Sequence, residues 1–428
     1  MILIKNCSIL PMTSQDDFID NGYLVVEGSD ITAVNPGICA NEGRFETVID
    51  ATGMVAMPGL VNAHTHVAMT LMRGYGDDLP LMQWLQEKMW PIEDKLTAED
   101  CYWGTMLGIT EMIKSGTTCF ADMYFNMDQV ARAVEETGIR ASLSQGMVGQ
   151  GPTGEAAFDR SRQLFKLNGK AQGRLTVMLG PHAPYTCTPE YLKRVISLAD
   201  ELGTGIHIHL AETMTEYNDI KAQYGKTPIA LMDEVGLFKR PVLAAHCVVL
   251  DDQDIDILAR HKVSVVHNPE SNMKLASGTA RIPDMLAAGI TVALGTDGAS
   301  SNNNLDMIQE LRTCAFLHKL SRLNPEVIPA YQALEMATVN GARALGLTDI
   351  GMLRPGMKAD LILVDFRKPH LCPRHDVAAH LVYSASGADV DTVMVNGRIL
   401  MQGRQLTTID EKMVMRQAED TVAGLFAR

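Results

Sequence analysis

The sequence predicts an α/β protein, a (β/α)8 TIM barrel carrying a small β-sandwich domain built jointly by the N- and C-terminal segments. Three observations carry that prediction. Eight strand-like apolar runs alternate with amphipathic segments, as a buried parallel sheet wrapped by helices requires. Short strands punctuated by turns are confined to the two ends of the chain. Histidines and acids recur where the apolar runs stop, the place where such barrels keep their active sites. With 428 residues, the chain can bury a barrel-sized core and an appendage.

Taken in order, residues 1–56 form the first part of the β-domain: MILIKNCSIL, then GYLVVEGSDITAV, joined through NP and EG turn signals. Residues 57–356 form the barrel. Its eight strands are VAMPGLVNAH, TTCFADM, IRASLSQ, RLTVMLGP, GIHIHLAE, PVLAAHC, VSVVHNP and ITVALGTD. Residues 357–428 return to the end domain with ADLILVDF and VDTVMVNGRILMQGRQL, where NG signals a hairpin, and close with a helix.

Polar residues mark one end of these strands. His64 and His66 close the first, His209 and Glu212 the fifth, His246 the sixth, His267 the seventh and Asp297 the eighth. All are expected at one mouth. The His64-Thr65-His66 spacing puts both imidazoles on one side of an extended strand end, where they can share one ion. The spacing recurs at His207 and His209, and one of those two is expected to pack or hydrogen-bond inside the barrel. An aspartate ending the apolar run ITVALG would be costly to bury unpaired, and a cation supplies its partner. Imidazoles and a carboxylate converging from several strand ends suit a divalent ion such as zinc.

Other classes are excluded by composition. A formal net charge of −14 without a basic cluster repels a phosphate backbone, so nucleic acid is not an expected partner. Eight cysteines without a CxxC pair suggest neither a disulfide scaffold nor a thiolate zinc motif, and fit reduced cytoplasm. The start lacks an export signal, and no apolar stretch has spanning length. The segment 149–154 fits GxGxxG, but the next strand ends in Gly180-Pro181-His182 instead of a ribose-binding acid, and Pro152 stiffens the supposed phosphate loop. A plain loop above the barrel is expected there.

PGLVNAHTHVAM, HIHLAET, AAHC, HNPESNMKLASG and GTDGASSNNN together resemble the amidohydrolase superfamily. LMQWLQEKMWPIEDKLT, GPHAPYTC and HLAETMTE, in that order, resemble its 5-methylthioadenosine/S-adenosylhomocysteine deaminase family. The resemblance spans nearly the whole chain. It implies that His64, His66, His209 and Asp297 hold one divalent ion per subunit, with zinc expected. Two-metal relatives bridge their ions through a carboxylated lysine at the fourth strand end, where this chain reads RLTVMLGPHAP without a lysine.

The resemblance also implies catalytic roles. Asp297 takes the proton of the attacking water, His246 orients that water, and Glu212 shuttles a proton to the purine ring. Glu93 and His182 match positions that bind ribose hydroxyls. Vicinal hydroxyls can both donate to one carboxylate, although an acid beside Pro91 is equally a helix-end residue. The implied reaction is hydrolytic deamination of 5'-methylthioadenosine, with S-adenosylhomocysteine and adenosine as further candidates. Arginines that would reach an amino-acid carboxylate are not assignable, since Arg160 and Arg162 read equally as solvated helix residues. Relatives imply a homodimer. The runner-up readings are a hydrolase of free nucleobases or aminotriazines and, more distantly, a non-catalytic scaffold.

Overall fold

The computed structural model describes residues 1–149 and 151–428. Eight parallel strands lie side by side in chain order: β1 (Leu60–Thr65), β2 (Thr117–Tyr124), β3 (Arg140–Met147), β4 (Leu175–Pro181), β5 (Ile206–Leu210), β6 (Val242–His246), β7 (Ser264–His267) and β8 (Val292–Leu294). These are the eight predicted runs. Their residues alternate between two buried environments. Ile206, Ile208 and Leu210 join the large core shared with the helices. Val61, Ala63, Cys119, Ala121, Leu243, Val266 and Ala293 form a small interior cluster, plugged by Ala342, Leu345 and Ile350. The interior is packed side chain, as an eight-stranded barrel demands.

The first and last strands meet through specific bonds. The Asp297 amide donates to the His64 carbonyl at 3.0 Å. The buried Asn62 side chain bridges the same seam, accepting from the Thr296 amide at 3.0 Å and donating to the Thr296 hydroxyl at 2.7 Å. Gly295 is required here: a Cβ would stand 2.8 Å from both the His64 amide nitrogen and the Asn268 side-chain oxygen. Asn62→Ala would leave the buried Thr296 amide unpartnered and the Thr296 hydroxyl with its bond to the Asp297 carbonyl alone. It is expected to cost about 2 kcal/mol, read as a lowered denaturant midpoint with unchanged slope.

The chain ends merge into one nine-stranded sheet. Met54–Pro58 runs parallel to Ile2–Ile9 and antiparallel to Leu361–Asp365, joining the N- and C-terminal strands edge to edge. Ile4, Ile9, Leu24, Ile31, Leu361 and Met394 share its core. The run VAMPGLVNAH, expected as one strand, is therefore two, with Met54–Pro58 in this sheet and Leu60–Thr65 in the barrel. Gly59 makes the crossing. A Cβ there would lie 2.1 Å from the Thr118 side chain, and its amide donates to the Asp360 carbonyl. Asp360 also forms a buried ion pair with Arg140 at the start of β3, 2.7 Å apart, tying the sheet to the barrel. Removing either partner would strand a buried charge.

The terminal helix Glu411–Ala427 leaves the end sheet and packs on the barrel helix Ala98–Lys114, with Lys114 bonding Glu411 and Arg428 bonding Asp100. The loop expected at 149–154 is shorter than predicted. Gln150 lies outside the described residues, and the helix Gly151–Phe165 begins directly after it. The reason is Pro152, which suits the first turn of a helix.

Candidate metal and catalytic site

A bulge in β1 aims the first two histidines. Asn62 pairs with Phe120 but Thr65 with Asp122, so β1 spends three residues where β2 spends two. The extra residue reverses the alternation. Val61 and Ala63 point into the barrel below it, and His64 and His66 point in above it. Bulges beside active sites commonly re-aim a side chain in this way.

Both rings reach one carboxylate. Asp297 Oδ1 lies 3.4 Å from His64 Nε2 and 3.2 Å from His66 Nε2. The opposite oxygen, Oδ2, accepts from the Ser271 and Ser301 hydroxyls at 2.6 and 2.9 Å, which fixes which oxygen faces the histidines. From β5, His209 Nε2 lies 3.2 Å from His66 Nε2. His207, its neighbour two residues back, instead shares a hydrogen bond with His64 inside the barrel, its Nε2 2.8 Å from His64 Nδ1, as expected for one of that pair.

The tautomers follow from the outer nitrogens. His66 Nδ1 lies 2.5 Å from the Met123 carbonyl, and His209 Nδ1 lies 2.7 Å from the His182 carbonyl, so each donates there. Both Nε2 atoms then offer lone pairs to the same point, a repulsive arrangement unless positive charge stands between them. Burial pulls His64 down to about 4 and, helped by His64, pushes His209 well below the ordinary range. Burial would lower His66 too, but the Asp297 carboxylate prevails and raises it to about 9, so that without a cation a proton would take the place between His66 Nε2 and Asp297. His64 Nε2 is buried without a hydrogen-bond partner. Three imidazoles with fixed lone pairs and one carboxylate oxygen fit a divalent ion.

Glu212 and His246 complete the centre. Glu212 Oε2 lies 3.8 Å from His246 Nε2, and both side chains are almost fully buried. Burial pushes the Glu212 carboxyl up, which favours the protonated form it would need as a donor. The Asn272 side-chain oxygen, 2.9 Å from His246 Nδ1, holds that ring. Ala211, His246 and Asp297 all sit at positive φ, +51°, +74° and +61°. Left-handed backbone at non-glycine residues costs about 1 kcal/mol or more each and gathers at functional sites.

His182 and Glu93 border the same centre. The His182 ring lies 4.9 Å from that of His209, its Nδ1 bonds the Thr186 hydroxyl at 2.9 Å, and burial pulls it down to about 3. Glu93 ends a short helix, Trp90–Glu93, and is half-buried. Its Oε1 accepts from the Tyr124 hydroxyl at 2.7 Å, and the Tyr124 ring faces His66 at 6.2 Å. Burial pushes the Glu93 carboxyl up, against the hydrogen bond from Tyr124.

One sequence expectation changes. His267 does not join the mouth: Val266 faces the interior, so His267, one residue on, faces outward to His318. Arg162, on the helix Gly151–Phe165, is committed at the surface to Glu201, 3.0 Å away on the helix Pro189–Leu202, and Arg160 is exposed one half-turn before it, in keeping with the solvated reading of both. Several positioning residues went unread, Tyr124, Ser271, Asn272, Ser301 and Glu216 among them. Glu216 accepts from the Ala211 and Glu212 amides at 2.9 and 2.8 Å, clamping the turn that presents Glu212. Its one visible signal was the spacing of an acid three residues after the helix cap Thr213.

Comparison with known proteins agrees with this geometry. A family model described as the amidohydrolase family matches residues 55–400. A 5-methylthioadenosine/S-adenosylhomocysteine deaminase of Syntrophomonas wolfei is 56% identical, with all of both chains covered. The crystal structure of an adenosine deaminase from Xanthomonas campestris with bound zinc superposes at a TM-score of 0.96 and 36% identity, covering 100% of this chain and 99% of that one. A zinc-complexed atrazine chlorohydrolase from Arthrobacter aurescens reaches 0.92 at 23% identity, covering 99% and 100%, and shares the fold. The chain belongs to the amidohydrolase family and, within it, to the 5-methylthioadenosine/S-adenosylhomocysteine deaminases.

Proposed function

We propose that this aminohydrolase deaminates an adenine nucleoside to the inosine analogue and ammonia, with 5'-methylthioadenosine preferred and S-adenosylhomocysteine and adenosine as further substrates. The observation that carries the reading is a buried carboxyl, Glu212, beside three imidazoles and Asp297. In this reading His64, His66, His209 and Asp297 hold one zinc ion. The bound zinc of the Xanthomonas campestris relative and the lysine-free end of β4 support it. When bound, such an ion supplies Lewis acidity that lowers the pKa of water toward neutrality.

The protein's own groups do the rest. Asp297 Oδ1 takes the proton of the attacking water, and His246 Nε2 orients that water and steadies the oxygen as charge develops. Glu212 gives its proton to the ring nitrogen beside C6, so that C6 accepts the new C–O bond. The C6–N bond then breaks as the proton held by Asp297 passes to the leaving amine and the new hydroxyl returns its proton to Glu212, and ammonia departs. Glu93, oriented by Tyr124, and His182 hold the ribose hydroxyls. The surface pairing of Arg162 with Glu201 removes one candidate partner for an amino-acid carboxylate, which favours the thioether substrate. A homodimer and a cytoplasmic location belong to the same reading, on the resemblance alone; no helix among the described residues is long and apolar enough to cross a membrane.

Ammonia release from methylthioadenosine, S-adenosylhomocysteine, adenosine and guanine, measured side by side, tests the assignment. The three nucleosides should exceed guanine. Faster turnover of guanine would instead support the free-base reading. Glu93→Ala should lower kcat/KM for nucleosides about 100-fold, the worth of two charge-assisted hydrogen bonds, while any activity on free adenine stays unchanged. An equal loss on both would remove Glu93 from ribose recognition.

A further inference from the structure

Outside the catalytic centre, a second set of donors lies between the strand and helix layers. His267 ends β7, and Cys314 and His318 lie one turn apart on the helix Met307–Arg322 that covers it. All three are fully buried. The two Nε2 atoms are 3.1 Å apart, and one donor atom from each residue falls within 4.8 Å of the other two. Around a tetrahedral zinc, two imidazole nitrogens at the usual bond length stand about 3.3 Å apart, so little movement is needed.

The mechanism uses none of these residues. Neither ring has a carboxylate or carbonyl partner, since both Nδ1 atoms are buried without a hydrogen bond. A lone imidazole pair sharing one proton is a poor reason to bury two histidines completely. Two imidazoles and a sulfur form a soft set suited to zinc-like ions. Burial keeps the rings unprotonated and the thiol protonated, so binding releases the Cys314 proton to solvent and leaves a thiolate.

We propose that His267, Cys314 and His318 form a second, structural site for a thiophilic divalent cation, pinning the helix Met307–Arg322 to β7. That helix also carries Glu310, which bonds Asn302 in the loop after Asp297, so the pin would steady the loop beside the catalytic centre.

The test uses cobalt as the probe, because the catalytic donors include no sulfur. Enzyme produced with cobalt should show thiolate-to-cobalt charge-transfer absorption in the near ultraviolet. Cys314→Ala should abolish it, lower the metal content by one ion per chain and leave kcat within about twofold. Absence of that absorption in the cobalt-loaded wild type overturns the proposal, whether or not the variant folds. Equal metal content in wild type and a folded Cys314→Ala also overturns it.

Discussion

Glu212→Gln is expected to keep its metal and its fold while kcat for adenine-nucleoside deamination falls about 1,000-fold, the scale of a lost general acid. The amide matches the carboxyl in shape but has no proton to transfer. The turn that presents residue 212 is held by Glu216 through the backbone amides of Ala211 and Glu212, so it survives the substitution. The centre's histidines and Asp297 are likewise untouched. Metal analysis and thermal melting should match wild type, which isolates the loss in the chemical step. A variant retaining kcat within threefold would remove Glu212 from the mechanism.

Asp297→Asn should be more severe, with kcat lowered about 10,000-fold and metal content reduced as well. The serine hydroxyls of Ser271 and Ser301 donate to one oxygen of this side chain. They would capture the amide oxygen and turn the amide NH2 toward His64 and His66. The centre would then present a hydrogen-bond donor where it now presents the carboxylate oxygen nearest both imidazoles. Binding and proton acceptance fail together. Metal per chain and kcat should be measured on one preparation. Full metal occupancy with normal turnover would show that Asp297 serves neither purpose.

The strands were legible because a parallel sheet buried on both faces leaves near-continuous apolar runs. The misreadings have a local cause in each case. VAMPGLVNAH is apolar throughout, so nothing in hydrophobicity marks the sheet change at Gly59; the requirement is spatial, in Thr118. His267 sits at a strand end like the others, and only the phase of Val266 reveals that it faces away.

The site was legible in proportion to residue rarity. Histidines at strand ends are conspicuous, whereas Ser271, Ser301 and Asn272 are ordinary polar residues until the fold brings them to Asp297 and His246. The β1 bulge left no signal in the HxH spacing itself, which keeps the two rings together whichever way the strand turns them. Its effect is visible only in the register against β2. Glu93 was singled out by its motif alone, and its hydrogen bond from Tyr124 is visible only in the fold.

The seam of the barrel gives the centre a second meaning. His64 and Asp297 belong to the first and last strand ends, and the backbone bond between them joins the circle. A cation held by both side chains, as proposed, would therefore work as a rivet across the junction between the first and last strands. In the proposed reading, catalysis and architectural closure would depend on the same two residues.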